Sequence, residues 1–479
     1  MMRIYNTLTK SKDSLEIGDD RKINFFVCGP TVYDFSHIGH ARTYVLFDAF
    51  VKYLRIQGFD VFYLQNITDI DDKIIKRSLE TEEDFSELTK RFEEEYYKDM
   101  NLLKVDSVSE YARATDYIKE IISQVERLLE NGFAYAIEDG IYYDISKFDN
   151  YGKLSGRTTE QAEDGTSRID ESIKKKNKGD FCLWKFSKEN EPKWESPWGD
   201  GRPGWHIEDT AIAESFFGTQ YNIHGGARDL IFPHHEAEIA QMEAISGKSP
   251  FVKYWMHTGF LTVEREKMSK SLNNFITIRD FVEKHSPRVL RFLALKSHYR
   301  SPIDYNEKNI DQIYQELRRI DRFIGSLENQ EAEDSHSKKR ETEETVAKYK
   351  KEINEALQDD FNTPIAIASL FSFISEMNPK LNNADKETIN EFLEDIDKIF
   401  GFLITSPKER LVEYLTTSER SIELEGKDDT EDHIRELANE REIARNSGNF
   451  KEADNIRKKI EEKGYLIEDT KEGFKIKKL

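Results

Sequence analysis

The chain is short of cysteine: only Cys28 and Cys182 occur in 479 residues. Two thiols do not make a disulfide framework, so a reducing, cytoplasmic setting is expected. No apolar run is long enough to cross a bilayer, and the opening MMRIYNTLTKSKD lacks the apolar stretch of a signal peptide. Positive charge is also scarce. Lys and Arg number 71 against 92 Asp and Glu, a formal net charge of -21. Such a balance does not advertise a nucleic-acid binder. Any grip on a nucleic acid must come from local basic patches and should weaken with salt. No internal repeat stands out. What remains is ample for a globular protein: 37% apolar residues, including 30 Phe and 21 Tyr, can fill a sizeable core. The length suits about three domains.

The most informative stretch is Cys28 to Thr43, CGPTVYDFSHIGHART. It follows the apolar run Ile23 to Val27, which reads as a buried strand that Gly29 and Pro30 terminate. From His37 to Leu54 the apolar residues fall at helical spacing. Strand, small-residue turn and helix start therefore follow one another. A helix start gathers unpaired N–H groups and attracts phosphate. Gly39 leaves room for a ligand to approach the backbone. His37 and His40, three apart, lie on one side of the first turn and can donate to phosphate oxygens. A second strand is expected at Phe59 to Gln65, which makes a strand–helix–strand opening of a doubly wound nucleotide-binding sheet. The acidic run Thr68 to Lys73 follows at its C-terminal end.

Further on, 80–132 has the spacing and composition of helices, and Ala134 to Tyr143 alternates like a hairpin. Tyr151 to Lys178 is polar and loop-like. Aromatics return at Asp180 to Lys185 and Trp194 to Trp205. Gly259 to Glu266 reads as strand and turn before Lys267-Met268-Ser269-Lys270-Ser271. Helices are expected to dominate from Asp280 to Ile399, with Leu327 to Glu344 a loose polar loop between two of them. Ser406 to Asp432 reads as a linker. From His433 a charged helix pair around Gly448 and a short strand pair at 465–478 complete the chain.

His37-Ile38-Gly39-His40 on a strand–turn–helix, with KMSKS at 267–271, resembles the class I aminoacyl-tRNA synthetases. Cys28 just before it narrows the likeness to the cysteinyl-tRNA synthetase family, over nearly the whole chain. The resemblance implies an α/β Rossmann-type catalytic domain whose parallel sheet is split by an insertion. A helical bundle and a small C-terminal α+β anticodon-binding module should follow. The expected parts are 1–109 and 201–300 for the two catalytic halves, with 110–200 as the insertion between them. Residues 301–405 would be the stem-contact bundle, and 406–479 the linker and anticodon module. DDFNTP at 359–364 resembles the start of a bundle helix, and EIARNSGNFKEADNIRKKIEEKGYLIEDT resembles the anticodon module.

The likeness also implies an activity: ATP-dependent formation of cysteinyl adenylate, then transfer to the 3′ end of tRNA(Cys). His37, His40, Lys267 and Lys270 would be catalytic. ATP would meet these four with Gly29, Gly39 and Asp229, and Mg²⁺ would accompany it. Thr31, Thr68, Trp205 and His224 would contact the amino acid. In the family one zinc ion is held by two cysteines, a histidine and a glutamate. Cys28, His234 and Glu238 match three of these, while Asp209 stands where the family usually has cysteine. His234 and Glu238 share one helix face after Pro233, a residue suited to the first helical position. Carboxylate and thiolate carry the same charge and zinc accepts both, so Asp209 is expected as fourth ligand or as a neighbour orienting one. His235 competes with His234 for the ligand role, and Cys182 reads as core. Such an ion would take the substrate's thiolate where a serine hydroxyl cannot match it. A monomer without membrane attachment is expected. A related cysteine ligase with another acceptor, as in mycothiol synthesis, lacks the full C-terminal module retained here. A non-catalytic tRNA binder has no use for both phosphate motifs.

Overall fold

The computed structural model describes residues 2–157, 174–268, 272, 274–328, 336–403, 430–446, 449–470 and 473–478. Ser269, Lys270 and Ser271 lie outside the described residues, as do most of the expected linker and parts of the expected loops at Tyr151 to Lys178 and Leu327 to Glu344. The chain forms two compact units. The first comprises Met1–Ile278, Ser297–Ile303 and Gln358–Phe361; the second comprises Arg279–Lys296, Asp304–Leu357 and Asn362–Leu479.

In the first unit a hairpin of β1 (Arg3–Asn6) and β2 (Ser11–Ser14) precedes β3 (Lys22–Val27). Then come α1 (Ile38–Ile56), β4 (Asp60–Ile67), α2 (Asp72–Thr81), α3 (Phe85–Leu102), β5 (Glu110–Arg113) and α4 (Ile118–Glu130). Strands β6 (Ala134–Ile137), β7 (Gly140–Tyr143), β8 (Phe181–Phe186) and β9 (Gly201–Pro203) form a separate antiparallel sheet in that order. Cys182 is buried in it. The chain returns through α5 (Ile207–Phe217), β10 (Tyr221–Ala227), α6 (His234–Ser246) and β11 (Val252–Thr258). The short hairpin β12 (Leu261–Val263) and β13 (Glu266–Lys267) follows.

Five strands make one parallel sheet in the order β11-β10-β3-β4-β5. The chain starts mid-sheet, winds out to β5, returns beside β3 as β10 and winds out to β11. The two halves meet where Val27 pairs with Gly225. A parallel sheet opens a crevice at such a switch point, beyond the strand C-termini. The sequence suits this architecture. Ile23 and Phe25 to Val27 are all buried, as expected of a strand covered on both faces. Phe25 meets Phe47 of α1 edge-on, with centroids 5.4 Å apart. A Cβ on Gly225 would sit 2.6 Å from the Phe47 ring, so the helix can lie this close only over glycine.

Three local expectations change. The stretch 80–132 is not all helix: Glu110–Arg113 is the edge strand β5. Four residues, EYAR, are too few for a period-2 signal. Pro233 caps α6 rather than occupying its first turn. His336 to Glu344, expected within a loop, lies in the helix His336–Gln358, because a Glu/Lys-rich run also suits a solvated helix.

The second unit is mainly helical. It includes Glu307–Glu328, His336–Gln358, Thr363–Met377 and Lys386–Phe400. Buried Arg288 pairs with Asp321 through two bonds of 2.7 and 3.0 Å. Helices Thr430–Asn446 and Phe450–Glu462 pack with the hairpin Tyr465–Thr470 and Gly473–Lys478 around Ile434, Ile456, Ile460 and Ile467.

Candidate functional site

A cavity of about 380 Å³ opens at the switch point, within the size range of small-molecule sites. His37 caps α1. Its Nδ1 accepts from the His40 backbone N–H at 3.2 Å, and His40 Nδ1 accepts from the His37 N–H at 3.4 Å. The rings stack with centroids 3.7 Å apart. Because each Nδ1 accepts, each neutral ring carries its proton on Nε2. Burial, His37 and the Lys73 charge push the His40 pKa well below the usual histidine range. Both rings and Gly39 line the cavity.

Lys267, on β13, lines the same cavity. Its hairpin is tied to α1 at both ends. On entry, Arg42 Nε donates to the Gly259 carbonyl at 2.9 Å, and Thr43 and Thr258 share a hydroxyl bond of 2.9 Å. On return, the Ile38 N–H donates to the Ile276 carbonyl at 3.1 Å, and Ile278 N–H donates to Ser36 at 2.8 Å. Lys270 is outside the described residues.

Cys28 follows β3, and Gly29 beside it has Asn66 in front: a Cβ there would meet the Asn66 carbonyl oxygen at 1.6 Å. Asn66 Oδ1 accepts from the Gly29 N–H at 2.6 Å, and its Nδ2 donates to Asp209 Oδ1 at 2.6 Å. Asp209 comes from the first turn of α5, and His234 and Glu238 from α6. His234 Nε2 lies 3.0 Å from Asp209 Oδ2 and 3.1 Å from Glu238 Oε1. One ligand atom from each of Cys28, Asp209, His234 and Glu238 can be chosen with all four within 4.8 Å of one another. His234 Nδ1 is held by His206 Nδ1 at 2.8 Å, which leaves Nε2 for a ligand role.

The electrostatics favour a cation here. Cys28, Glu238 and Glu208 are all pushed well above their ordinary pKa values, first by burial, then by Asp209 and, for Cys28, by Glu238 as well. Neither Glu238 oxygen accepts a hydrogen bond, although both are buried. Two carboxylates and a thiol packed this closely lack a permanent counter-charge in contact with them among the described residues, and a divalent ion supplies one. The residues present therefore fit a metal ion.

The other expected residues divide between the cavity and its backing. Thr31 and Thr68 bridge the ends of β3 and β4 and line the cavity. Thr68 Oγ1 donates to Glu208 at 2.5 Å. Trp205 stacks on His234 at 4.6 Å and forms a wall, and Asp229 lines another. His224 is not in the wall. It lies behind Cys28, with Nε2 3.3 Å from the sulfur, while its Nδ1 shares a hydrogen bond of 2.6 Å with Tyr221 OH. Asn66, Arg42 and Lys73 escaped the sequence reading. Lys73 lines the cavity from the first turn of α2, inside the acidic run that follows β4, and that position was its available signal.

Comparison with known proteins gives the same picture. Residues 14–315 match the family described as tRNA synthetases class I (C) catalytic domain, and 352–404 match the DALR domain. The chain is 42% identical over 486 residues to a cysteine–tRNA ligase of Thermococcus onnurineus, covering 98% of each. It is 41% identical over 483 residues to that of Carboxydothermus hydrogenoformans, covering 100% of each. Methionyl-tRNA synthetase of Mycobacterium tuberculosis with methionyl-adenylate shares the fold at 14% identity, with a TM-score of 0.57 over 82% of this chain and 90% of that one.

Proposed function

The chain belongs to the cysteine–tRNA ligases, class I aminoacyl-tRNA synthetases, and on that premise we propose how its residues divide the work. The cysteine carboxylate attacks the α-phosphorus of ATP. An O–P bond forms, the bond to the β-phosphate bridging oxygen breaks and pyrophosphate leaves. A hydroxyl at the 3′ end of tRNA then attacks the acyl carbon of the adenylate, an ester bond forms, the acyl–phosphate bond breaks and AMP leaves. No side-chain nucleophile is needed, so positioning and charge neutralisation carry the catalysis.

His37 and His40 donate from Nε2 to phosphate oxygens, and Gly29 and Gly39 let ATP approach the backbone. Lys267 and Lys270 counter the triphosphate charge, and Asp229 accepts from the ribose hydroxyls. Thr31 and Thr68 hold the amino and carboxylate groups of cysteine, and Trp205 limits the size of its side chain. His224 supports the sulfur of Cys28 from behind. Cys28, Asp209, His234 and Glu238 would hold one zinc ion, which when bound offers a direct seat for the substrate thiolate that a serine hydroxyl cannot match. Mg²⁺ accompanies the phosphates. Residues 301–405 and 406–479 serve the tRNA stem and anticodon, the part of 110–200 that follows edge strand β5 is the insertion between the catalytic halves, and the enzyme works as a cytoplasmic monomer.

The observation that carries this reading is a single cavity lined by both imidazoles, Lys267, Cys28, Asp209 and His234. Pyrophosphate exchange tests it. Zinc-replete protein should exchange pyrophosphate with cysteine and far less with serine. Absence of cysteine-dependent exchange while ATP still binds overturns the reading.

A further inference from the structure

A second group of ligand atoms overlaps the first. Cys28, His224, His235 and Glu238 also offer atoms within 4.8 Å of one another. His235 Nε2 lies 3.0 Å from Cys28 Sγ and 4.0 Å from Glu238 Oε1. Each imidazole is held from behind at Nδ1: His224 by Tyr221, and His235 by His257 Nε2 at 2.8 Å. His257 Nδ1 is in turn 2.7 Å from Thr7 Oγ1. An outer partner at Nδ1, with Nε2 turned toward the Cys28 sulfur and so toward the other ligand atoms, is the arrangement of a metal-binding histidine.

The two groups differ in access and in charge. Cys28, Asp209 and His234 line the cavity, whereas His224, His235 and Glu238 do not. With Cys28 as thiolate, the outer group brings three negative charges to a divalent ion and is left with one in excess. The inner group brings two and is neutral. A fully buried site favours neutrality. Glu238, with both oxygens free of hydrogen bonds, belongs to both groups.

We propose that this chain offers its metal ion two overlapping four-ligand positions: an outer one with Asp209 and His234 that faces the cavity, and an inner one with His224 and His235 that is closed from it. The inference rests on the reading that the cluster binds zinc. In this chain the inner position retains the ion when the outer ligands fail, because Cys28 and Glu238 remain.

Zinc content and X-ray absorption of the purified full chain test this, with Asp209→Ala, the isosteric Asp209→Asn, His235→Gln and Asp209→Ala/His235→Gln. Wild type should hold one zinc per chain. Asp209→Ala and Asp209→Asn should keep it with two imidazoles and one sulfur around the ion, and added cysteine should not bring a second sulfur. His235→Gln alone should keep zinc through the outer group, and the double variant should lose it. Loss of zinc from both Asp209 variants while His235→Gln keeps it overturns the proposal, as does retention with a single imidazole or retention in the double variant. A wild-type chain without zinc fails at the earlier step, since the cluster then holds no zinc at all.

Discussion

At the scale of single residues, the site depends on which nitrogen carries a proton. The reciprocal cap of His37 and His40 fixes both protons on Nε2. Asparagine can imitate this by accepting from the His37 N–H through Oδ1 and donating through Nδ2. His40→Asn should therefore lose about 10-fold in the kcat of pyrophosphate exchange, and His40→Ala about 100-fold or more. Equal losses would show that the ring itself, and not its donor, is what matters. The sequence revealed the two imidazoles and their shared face, but not that they cap each other, because a cap depends on backbone dihedrals. Asp69 makes a separate point. Burial raises its pKa from 3.8 to about 6, against the bonds that it accepts from Thr115. The folded state thus binds its proton more tightly than the unfolded chain does. The stability this proton provides is complete below pH 3.8, declines as pH rises, and is gone above about 6. Relative to wild type, Asp69→Asn should gain stability across that window and hold a constant advantage of about 1–3 kcal/mol at neutral pH, read by paired melts. A gap that does not change with pH would remove Asp69 from the account.

At the scale of elements, the helix that His37 caps and the hairpin that carries Lys267 are one mechanical object. Arg42 of α1 is buried, and besides Gly259 it donates to the carbonyls of Tyr299 and Ser301 at 3.0 and 2.5 Å. Carbonyl dipoles rather than a carboxylate surround the charge, and burial lowers its pKa to about 9. Arg42 therefore fixes the root of the hairpin that carries Lys267 against the helix that His37 caps. Arg42→Met would strand several buried carbonyls at about 1–3 kcal/mol each and release the hairpin. The KM for ATP should rise roughly ten-fold or more, with the KM for cysteine nearly unchanged. Arg42→Lys should not restore it, because one ammonium cannot span carbonyls on separate segments. A parallel rise in both KM values would reduce Arg42 to a stability role. The helix α1 was legible from its helical period, and strands β3 and β4 from short apolar runs. Strand β5 was too short to read, and the start of the helix His336–Gln358, up to Glu344, was hidden by its polarity. Arg42 reads as an ordinary helix residue until tertiary contacts bring Gly259 and Ser301 to it.

At the scale of the whole molecule, the difficulty is charge. A chain of net charge -21 must bind a polyanion. From Arg435 onward, however, twelve Lys and Arg stand against ten Asp and Glu, so the terminal module carries almost none of that burden. It also has its own apolar core, including Ile434, Ile456 and Ile476, and the cavity lies in the other compact unit. Binding of tRNA and activation of cysteine should therefore be separable. A chain ended before Thr430 should keep cysteine-dependent pyrophosphate exchange within about two-fold, since the groups that neutralise phosphate remain. Its KM for tRNA should rise by roughly ten-fold or more, and the salt dependence of aminoacylation should flatten as phosphate contacts are lost. The intact chain should show the contrast within one protein: added salt raises the KM for tRNA steeply and barely alters pyrophosphate exchange. If truncation left the salt dependence of aminoacylation unchanged, the phosphate contacts would have to lie elsewhere in the second unit, and the local charge of the terminal module would not explain how so acidic a protein binds its nucleic acid.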